Sequence, residues 1–276
     1  MNLGRKNHLQ IVRIKEVGAY LGEESGDENA VLLPRAEVPE GAKLGDEIEA
    51  FIYKDSEDRL IATTKEPAME LGEVALLPVS QVNEIGAFLD WGLLKNLFLP
   101  FSEQTHKVRE GELVPVILYL DKSHRLAASM KIYGKLSPAS GYEKNDKVTG
   151  IIYDIRKGLG AFVAVDGRYY GMIPNQEMYE SVRIGDVINA RVLKVRQDGK
   201  LDLSGRKKAY AQMSDDAKAV MEAIKSYDGE LPFTDKASPE QIKAELGLSK
   251  AAFKRAVGKL LKEDKITIGV NSIYKK

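Results

Sequence analysis

The sequence contains no cysteine, one tryptophan and three histidines among its 276 residues. Without cysteine there is no disulfide bond and no thiolate metal site, a composition that fits a reducing compartment. No run of eighteen apolar residues occurs, and the first ten residues (MNLGRKNHLQ) reach charged side chains before a signal-peptide apolar region could form. We therefore expect a globular, cytoplasmic protein of two or more domains that does not span a membrane.

Motifs for catalysis are also missing. His8, His106 and His124 lie in unrelated contexts, and no HExxH, P-loop or GxGxxG motif occurs. The acidic residues are numerous but show no metal-ligand spacing. We expect a non-catalytic protein without catalytic residues, metal or cofactor. A nuclease is the alternative, which incubation of labelled RNA with Mg²⁺ would detect.

The net charge of zero hides an uneven distribution. Residues 1–143 carry 16 basic and 23 acidic side chains, a net charge of −7, whereas residues 144–276 carry 25 and 18, a net charge of +7. This asymmetry favours a polyanionic partner for the C-terminal half, although solvated surface alone produces a milder version. The acidic N-terminal half is a candidate surface for a protein partner, such as the ribosome or a degradation machine.

One phrase occurs three times, as GAYL at Gly18, GAFL at Gly86 and GAFV at Gly160. Each copy continues into a run that ends in proline, a Gly-acid turn, a mainly apolar strand and a closing segment (RLIATT, RLAASM or KLDLSG). The phrase glycines are 68 and 74 residues apart, and their neighbours keep similar offsets. Because a chance tripeptide would not bring its neighbours along, we predict three tandem copies of one small β module.

Each copy is predicted to contain about five short strands separated by Gly, Pro, Asn and Asp turns, which is typical of an all-β barrel. In the third copy the odd-numbered positions of AFVAV (161–165) are aliphatic and are predicted to face the barrel core. Phe162, and by register Phe88 and Tyr20, then point outward, where an unpaired base can stack. The glycine two residues before each ring suits a bulge or tight bend.

This order of strands and turns resembles the RNA-binding S-one domain, an OB-fold. The resemblance implies that single-stranded RNA lies across the second and third strands, stacks on aromatic rings and contacts a His, an Asp and an Arg. The positions that match the family's functional residues are Tyr20, Phe88 and Phe162 for the aromatic ring, Arg59, Arg125 and Lys200 for the Arg, and Asp55 and Asp121 for the Asp.

The chain departs from the family pattern at three places. The third copy has Arg196 at the Asp position, and all copies have proline where the family often has His. The second usual aromatic is replaced by an aliphatic residue: Val17, Ile85 and Leu159. These departures weaken the expectation that every copy binds RNA.

Charge favours the third copy as the RNA-binding one. A stacked base contributes about 1–3 kcal/mol, so one ring per barrel needs phosphate contacts as well. The first copy carries the acidic loop GEESGDEN (22–29), which repels phosphate. The third copy carries many basic residues: Arg156, Lys157, Arg168, Arg191, Lys194, Arg196, Lys200, Arg206, Lys207 and Lys208.

We therefore predict an RNA-binding face on the third copy, with a contribution from the second. The predicted barrel residues are Phe162, Tyr170, Arg196, Lys200, Lys194 and Arg168, with Phe88 and Arg125. Of the adjacent Tyr169 and Tyr170, one should reach the core, because neighbouring strand residues face opposite ways. The alternative for Phe162 is a ring packed against a neighbouring domain, and this alternative is stronger for Tyr20.

The composition becomes helical after residue 209. Residues 215–226 have a helical apolar period, SPEQIKAELG has Ser238 as an N-cap and Gly247 as its stop, and Ser249 begins a third helix. In that helix the apolar residues predicted to reach the core are Phe253, Val257, Leu260 and Leu261. A hairpin around Gly269 follows, which completes a winged helix.

The third helix of a winged helix commonly contacts duplex DNA, and here Lys250, Lys254 and Arg255 occupy that helix. The segment's excess of two positive charges is small for a DNA-binding domain that acts alone. We therefore expect these three residues to bind RNA, so that the third copy and the winged helix together hold most of the RNA; docking to protein and contact with duplex nucleic acid are the alternatives.

The predicted fold is multidomain and mainly β, with three S-one-like OB barrels (1–68, 69–143 and 144–209) before an α+β winged helix (210–276). This arrangement resembles the bacterial conserved virulence factor B family, whose members are cytoplasmic RNA-binding proteins linked to regulation of gene expression. The resemblance implies a non-catalytic regulator that binds single-stranded RNA. The alternative is a transcriptional regulator that binds duplex DNA through the winged helix and uses the barrels to dock proteins.

Overall fold

The structure is a computed structural model that describes residues 1–178, 182–205 and 209–276; the side chains of residues 209–215 are outside the described set. The chain divides into two compact units, Met1–Gly205 and Arg206–Lys276. The first unit contains three β modules in tandem, and the second contains helices and a small sheet. The predicted succession of S-one-like barrels and a winged helix is confirmed.

The first module is a closed barrel with a buried aliphatic core. Its strands are β1 (Lys6–Lys15), β2 (Gly18–Gly22), β3 (Val31–Pro34), β4 (Glu47–Lys54) and β5 (Leu60–Thr63). They close in the order β1-β2-β3-β5-β4, and β3 runs parallel to β5. Leu9, Leu21 and Leu33 lie in the core.

The second module, called the second barrel below, repeats this order as a sheet that hydrogen bonds do not close into a full ring. Its strands are β6 (Val74–Val82), β7 (Gly86–Leu89), β8 (Leu97–Pro100), β9 (Leu113–Leu120) and β10 (Leu126–Ser129), in the order β10-β9-β6-β7-β8. Its core contains Trp91 and continues into Phe51 and Tyr53 of the first module. The first two modules therefore share apolar packing.

The third module is again a closed barrel. Its strands are β11 (Lys147–Arg156), β12 (Gly160–Val165), β13 (Tyr169–Pro174), β14 (Val187–Val195) and β15 (Leu201–Ser204). Ala161, Val163 and Val165 lie in its core, whereas Phe162 belongs to a different cluster on the outside. The predicted alternation along β12 is confirmed.

The glycine that opens each repeated phrase lies where the next strand passes too closely for a side chain. A Cβ atom on Gly18 would be 2.0 Å from the carbonyl oxygen of Leu33, and one on Gly160 would be 2.0 Å from that of Ile173. In the middle copy, a Cβ atom on Gly86 would be 2.6 Å from the carbonyl oxygen of Leu99. In all three modules the first strand, which precedes the glycine, shows a register shift in its pairing with the second strand. The phrase recurs because this crossing accepts only glycine.

The Ser or Thr that ends the fifth strand of each module is buried and donates its hydroxyl hydrogen bond to a glutamate. That glutamate ends the short 3-10 turn after the third strand of the module. The three pairs are Thr63–Glu37, Ser129–Glu103 and Ser204–Glu177. The carboxylate joins the fifth strand to the turn, which explains the hydroxyl side chain at this position of the repeat.

The second unit is a winged helix. Its elements are α1 (Ala209–Ser226), β16 (Glu230–Leu231), α2 (Pro239–Leu246), α3 (Lys250–Lys262), β17 (Ile266–Ile268) and β18 (Ile273–Lys275). Ser238 Oγ accepts from the backbone N–H of Gln241 at 3.1 Å, and Ser249 caps α3 in the same way. Gly247 ends α2 in the left-handed conformation, with φ 66°. All three predicted boundaries are confirmed.

The predicted core face of α3 is confirmed at Phe253, Val257 and Leu260 but is wrong at Leu261, which is 47% exposed. Successive residues of an α-helix point about 100° apart, so Leu260 and Leu261 cannot share one narrow face. Leu260 continues the row that Phe253 and Val257 begin.

In the part of the chain that the structure describes, no helix combines the length and apolarity that a membrane span requires.

Candidate nucleic-acid interface

Phe162 points away from the core of the third barrel, as predicted, but it does not lie in solvent. Its side chain is 9% exposed and packs in a junction cluster with Ile132, Leu136 and Tyr153. The expected solvent-exposed ring is therefore wrong, and the alternative of packing against a neighbouring domain is correct. The segment that links the second and third barrels brings Ile132 and Leu136 to this ring and removes its apolar surface from water.

Tyr133, from the same linking segment, lies against Phe162 and is itself 45% exposed. Its ring centroid is 5.7 Å from that of Phe162 and 5.5 Å from that of Tyr170, edge to face in both cases. The Tyr170 hydroxyl donates to the Tyr133 carbonyl oxygen at 3.2 Å. Our sequence reasoning missed Tyr133 because it lies outside the repeated strands. Its position between two lysines in KIYGK was the available signal.

Tyr169 and Tyr170 face opposite ways, as predicted. Tyr169 packs against the core of the third barrel, whereas Tyr170 packs against the junction cluster beside Phe162. Tyr170 is therefore on the predicted face of the barrel, where it supports Tyr133.

The basic residues predicted to hold phosphate in the third barrel are mostly paired with carboxylates. The pairs are Arg156–Asp154, Arg168–Glu73, Arg196–Asp202 and Lys200–Asp198. The hydrogen bond with its carboxylate raises the pKa of Arg168, Arg196 and Lys200. The pairs of Arg156 and Lys200 are the more exposed ones and contribute about 0–1 kcal/mol each, so a phosphate can replace their carboxylates. The number of basic residues in the third copy therefore overstates how many of them are free to bind phosphate.

The remaining basic residues of the third barrel differ in setting. Lys194 is exposed on β14, and Arg191 donates to the Asn145 side chain at 3.3 Å. The last three residues of the predicted basic set lie outside the described residues: Arg206, Lys207 and Lys208.

A row of outward-facing side chains crosses each barrel at the level of the repeated aromatic. In the first barrel the row consists of Tyr20, Leu32, Ile61 and Tyr53. In the second barrel it consists of Phe88, Phe98, Ala127 and Tyr119. In the third barrel it consists of Phe162, Met172, Asp202 and Lys194. The rows occupy equivalent places but differ in chemistry. In the second barrel the row begins with two adjacent phenyl rings.

The second barrel presents these two rings in a groove of about 310 Å³. The Phe88 and Phe98 centroids are 5.4 Å apart, and both side chains are partly exposed. Ile85 and Arg125 also line the groove, and Tyr53 of the first barrel forms part of its wall. Our sequence reasoning missed Phe98, whose signal was its place in LFLP, the strand after the phrase aromatic.

Asp121 and Arg125, which match the family's Asp and Arg, line the same groove. One Asp121 oxygen accepts from the backbone N–H groups of Ser123 and Arg125 at 2.8 and 2.9 Å. Burial raises the pKa of Asp121, but these hydrogen bonds and the nearby guanidinium together hold it below its usual value. The Arg125 Nε atom is 3.5 Å from the other carboxylate oxygen. Asp121 thus orders the turn and positions Arg125 at the groove.

The turn between the fourth and fifth strands explains why the third copy can have Arg196 at the family's Asp position. Asp55 in the first barrel accepts from the backbone N–H of Arg59 at 3.0 Å, as Asp121 does in the second. In the third barrel Arg196 takes the Asp position, and Asp198 accepts from the backbone N–H of Lys200 instead, at 3.3 Å. The turn keeps a carboxylate that positions its basic residue, although the carboxylate has moved two residues along the chain.

The first barrel also has a ring beside basic side chains. The Arg13 Cζ atom is 4.7 Å and the Lys15 Nζ atom 5.5 Å from the centroid of the half-buried Tyr20. The aliphatic residues that replace the second aromatic in the three barrels are all more than half exposed: Val17, Ile85 and Leu159. An apolar surface therefore recurs at one place in each barrel.

The three basic residues predicted on the winged helix lie on α3. Lys250 is half-buried, whereas Lys254 and Arg255 are exposed. The Lys254 Nζ atom is 3.7 Å from an Asp235 oxygen. At the wing, between β17 and β18, Val270 is 86% exposed. The second unit thus offers basic side chains on a helix and an apolar residue on its hairpin.

Tandem S-one-type OB barrels followed by a winged helix define a multidomain nucleic-acid-binding protein. The family model described as the S1 domain matches residues 3–65 and 71–131. The second domain of the virulence regulatory factor CvfB matches residues 135–207, and the CvfB-like winged helix domain matches residues 218–274. The chain belongs to the conserved virulence factor B family. None of these three models describes a catalytic domain.

Relatives match along nearly the whole chain. The protein YitL of Bacillus subtilis is 31% identical over 96% of this chain and 91% of its own length. Conserved virulence factor B of Staphylococcus epidermidis is 28% identical over 98% of this chain and 94% of its own length. A solved Streptococcus pneumoniae structure, described as a multidomain protein with nucleic acid binding domains, is 25% identical, with a TM-score of 0.44 over 99% of this chain and 98% of that one.

Proposed function

We propose that the chain is a non-catalytic protein that binds single-stranded RNA and that the groove of the second barrel is its principal base-binding site. The observation that carries this proposal is the pair of adjacent, partly exposed rings of Phe88 and Phe98 beside Arg125. A ring can stack on a base only when the base is free of a partner strand. The guanidinium of Arg125 supplies a charge for the neighbouring phosphate.

The preference for RNA rests on family resemblance as well as on geometry. The three barrels have the S-one-type fold, and the chain belongs to a family described as a virulence regulatory factor. Binding to transcripts would let such a protein regulate gene expression after transcription.

The third barrel and the winged helix are each proposed to contribute nucleic-acid contacts of their own. Lys194, Arg196 and Lys200 lie on or beside the outer row of the third barrel and would hold phosphates. Lys254 and Arg255 on α3, with Lys250 at its start, would add contacts to either RNA or duplex nucleic acid. The positive net charge of residues 144–276 supports these contacts.

Fluorescence anisotropy with labelled oligonucleotides tests the proposal. We expect Phe88→Ala and Phe98→Ala each to weaken binding of an unstructured single-stranded RNA about 5- to 150-fold, from the about 1–3 kcal/mol of a stacked base. Phe101→Ala is the matched control, because Phe101 is an exposed phenyl ring of the same barrel that does not line this groove. Unchanged affinity in both groove variants would show that the site lies elsewhere.

Competition between probes separates the two candidate functions. The proposal expects single-stranded RNA to compete better than single-stranded DNA or a duplex of the same sequence. Tighter binding to a defined DNA duplex, lost on substitution of Lys254 and Arg255 but not of Phe88, would favour the DNA-binding alternative.

A further inference from the structure

The linking segment between the second and third barrels places an exposed ring where the repeat itself has none. In the third barrel the family's aromatic position is Phe162, which is 9% exposed, whereas Tyr133 in front of it is 45% exposed. The two rings meet edge to face. A base that approached this face would therefore meet Tyr133 first.

We propose that Tyr133 is a second base-stacking residue, which replaces Phe162 as the ring that the third barrel offers to an unpaired base. The inference rests on the proposed function, because it requires the chain to bind a single-stranded nucleic acid. Phe162 then serves as a support for Tyr133. The partner at this site is one nucleobase of a single strand, with its phosphate toward the basic side chains that flank the ring.

The position of Tyr133 is defined by its neighbours before any ligand binds. Ile132 and Leu136, on either side of it in the chain, are 1% and 5% exposed. The Tyr170 hydroxyl donates to the Tyr133 carbonyl oxygen. Ser137 N–H donates to the Arg168 carbonyl oxygen at 2.8 Å, which ties the end of the segment to the third barrel. A ring held in this way loses little conformational entropy when a base stacks on it.

Two basic groups lie at the ring. The Arg156 Cζ and Lys200 Nζ atoms are each 5.7 Å from the Tyr133 centroid. Each is also paired with an aspartate, Arg156 with Asp154 and Lys200 with Asp198. A phosphate that follows a base stacked on Tyr133 can exchange with these exposed carboxylates at small cost. The ring and the charges thus form one surface for a nucleotide.

Phe162 itself is enclosed from several sides. Its centroid is 6.3 Å from that of Tyr153, and the Arg156 Cζ atom lies 4.8 Å from it. Phe162 also packs in the cluster that contains Val74 and Ile117 of the second barrel. Removal of Tyr133 alone would therefore leave a ring that is still largely covered, so Tyr133 is better placed as the platform than as a removable cover.

The test compares Tyr133→Ala with Tyr133→Phe in the full chain, using the same single-stranded RNA. We expect Tyr133→Ala to weaken binding about 5- to 150-fold and Tyr133→Phe to stay within about twofold of the parent, because the ring rather than the hydroxyl stacks. Tighter binding by Tyr133→Ala would overturn the inference and identify Tyr133 as a cover over Phe162. Unchanged affinity would also overturn it.

Two further measurements keep the result interpretable. Tyr133→Trp retains a ring, and RNA should quench its fluorescence by more than it quenches that of the parent, whose Trp91 is 3% exposed but lines the groove of the second barrel. Phe88→Ala serves as the reference. If the parent does not bind single-stranded RNA, the proposed function fails. If Phe88→Ala weakens binding while Tyr133→Ala does not, only the role of Tyr133 fails.

Discussion

Arg168, in the turn before β13 of the third barrel, forms an ion pair with Glu73, which directly precedes β6 of the second barrel. The adjacent backbone adds to this contact, because Val74 N–H donates to the Gly167 carbonyl oxygen at 2.7 Å. The two barrels are thus joined by charge and by backbone hydrogen bonding beside the cluster that covers Phe162. Arg168, which the sequence suggests as a phosphate contact, has a structural partner within the chain.

The close crossing at Gly160 predicts a large and specific effect of a single methyl group. Gly160→Ala should destabilise the third barrel by about 2–4 kcal/mol, because the Cβ atom would overlap the Ile173 carbonyl oxygen and the residue has a φ of 140°. Thermal unfolding followed by circular dichroism measures the loss, and hydrogen exchange in β12 and β13 assigns it to this barrel.

Gly158→Ala is the control for that measurement. Gly158 also has a positive φ, 85°, but a Cβ atom there would meet nothing within 4 Å. Its substitution should cost only the conformational strain of about 1–2 kcal/mol. Equal losses in the two variants would show that the crossing can relax and that the repeat does not require glycine for this reason.

The buried hydroxyl of Ser129, at the end of β10, should stabilise the second barrel. Ser129 is fully buried and donates to the Glu103 carboxylate, so Ser129→Ala should lower the free energy of unfolding by about 1.5–3 kcal/mol. Ser129→Thr, which copies Thr63 of the first barrel, should retain more of the stability. Urea unfolding followed by the fluorescence of Trp91 measures both variants. If Ser129→Thr lowered the free energy of unfolding as much as Ser129→Ala, the proposed role of the hydroxyl would be contradicted.

Substitution of Tyr153 by phenylalanine should raise the stability of the protein. Tyr153 is 7% exposed, and its hydroxyl has no hydrogen-bond partner in the part of the chain that the structure describes. Burial raises the pKa of this tyrosine. Tyr153→Phe removes a buried hydroxyl while keeping the ring beside Phe162, so it should raise the free energy of unfolding by about 1 kcal/mol. A lower melting temperature in the variant would show that the hydroxyl has a stabilising contact.

The salt dependence of RNA binding should be moderate. About three phosphate contacts on a single strand predict that log K falls by roughly two per tenfold increase in salt. Arg125, Arg196 and Lys200 each have a carboxylate partner that competes with phosphate, so the slope should not exceed this value. Anisotropy titrations over a tenfold range of KCl measure it. Arg125→Gln should reduce the slope by about 0.7, and an unchanged slope would exclude Arg125 as a phosphate contact.

Much of the fold could be predicted because its signals are local. The glycine spacing identified three copies, the alternation along β12 identified which residues face the core, and Ser238, Gly247 and Ser249 marked helix ends. Each of these depends on a few adjacent residues and on the period of a strand or helix. Leu261 was wrongly assigned to the core because the apolar face of α3 was taken to be wider than it is.

The candidate site was less predictable because it depends on contacts between distant segments. Phe88 and Arg125 were identified one by one through the repeat, but only the folded chain brings them together with Phe98 and Tyr53 around one groove. Charge counting along the sequence favoured the third barrel. It could not show that residues such as Arg196 and Lys200 already have carboxylate partners.

Strand pleat and glycine stereochemistry act within a few residues, so the amino-acid sequence was enough to predict the repeated barrel, the winged helix and the outward direction of Phe88 and Phe162. Which of those outward rings meets solvent depends on the folded chain. A linking segment buries its own apolar side chains over Phe162 and leaves Tyr133 in front, whereas Phe88 stays accessible in a groove. The burial of apolar surface between segments far apart in the chain made that choice.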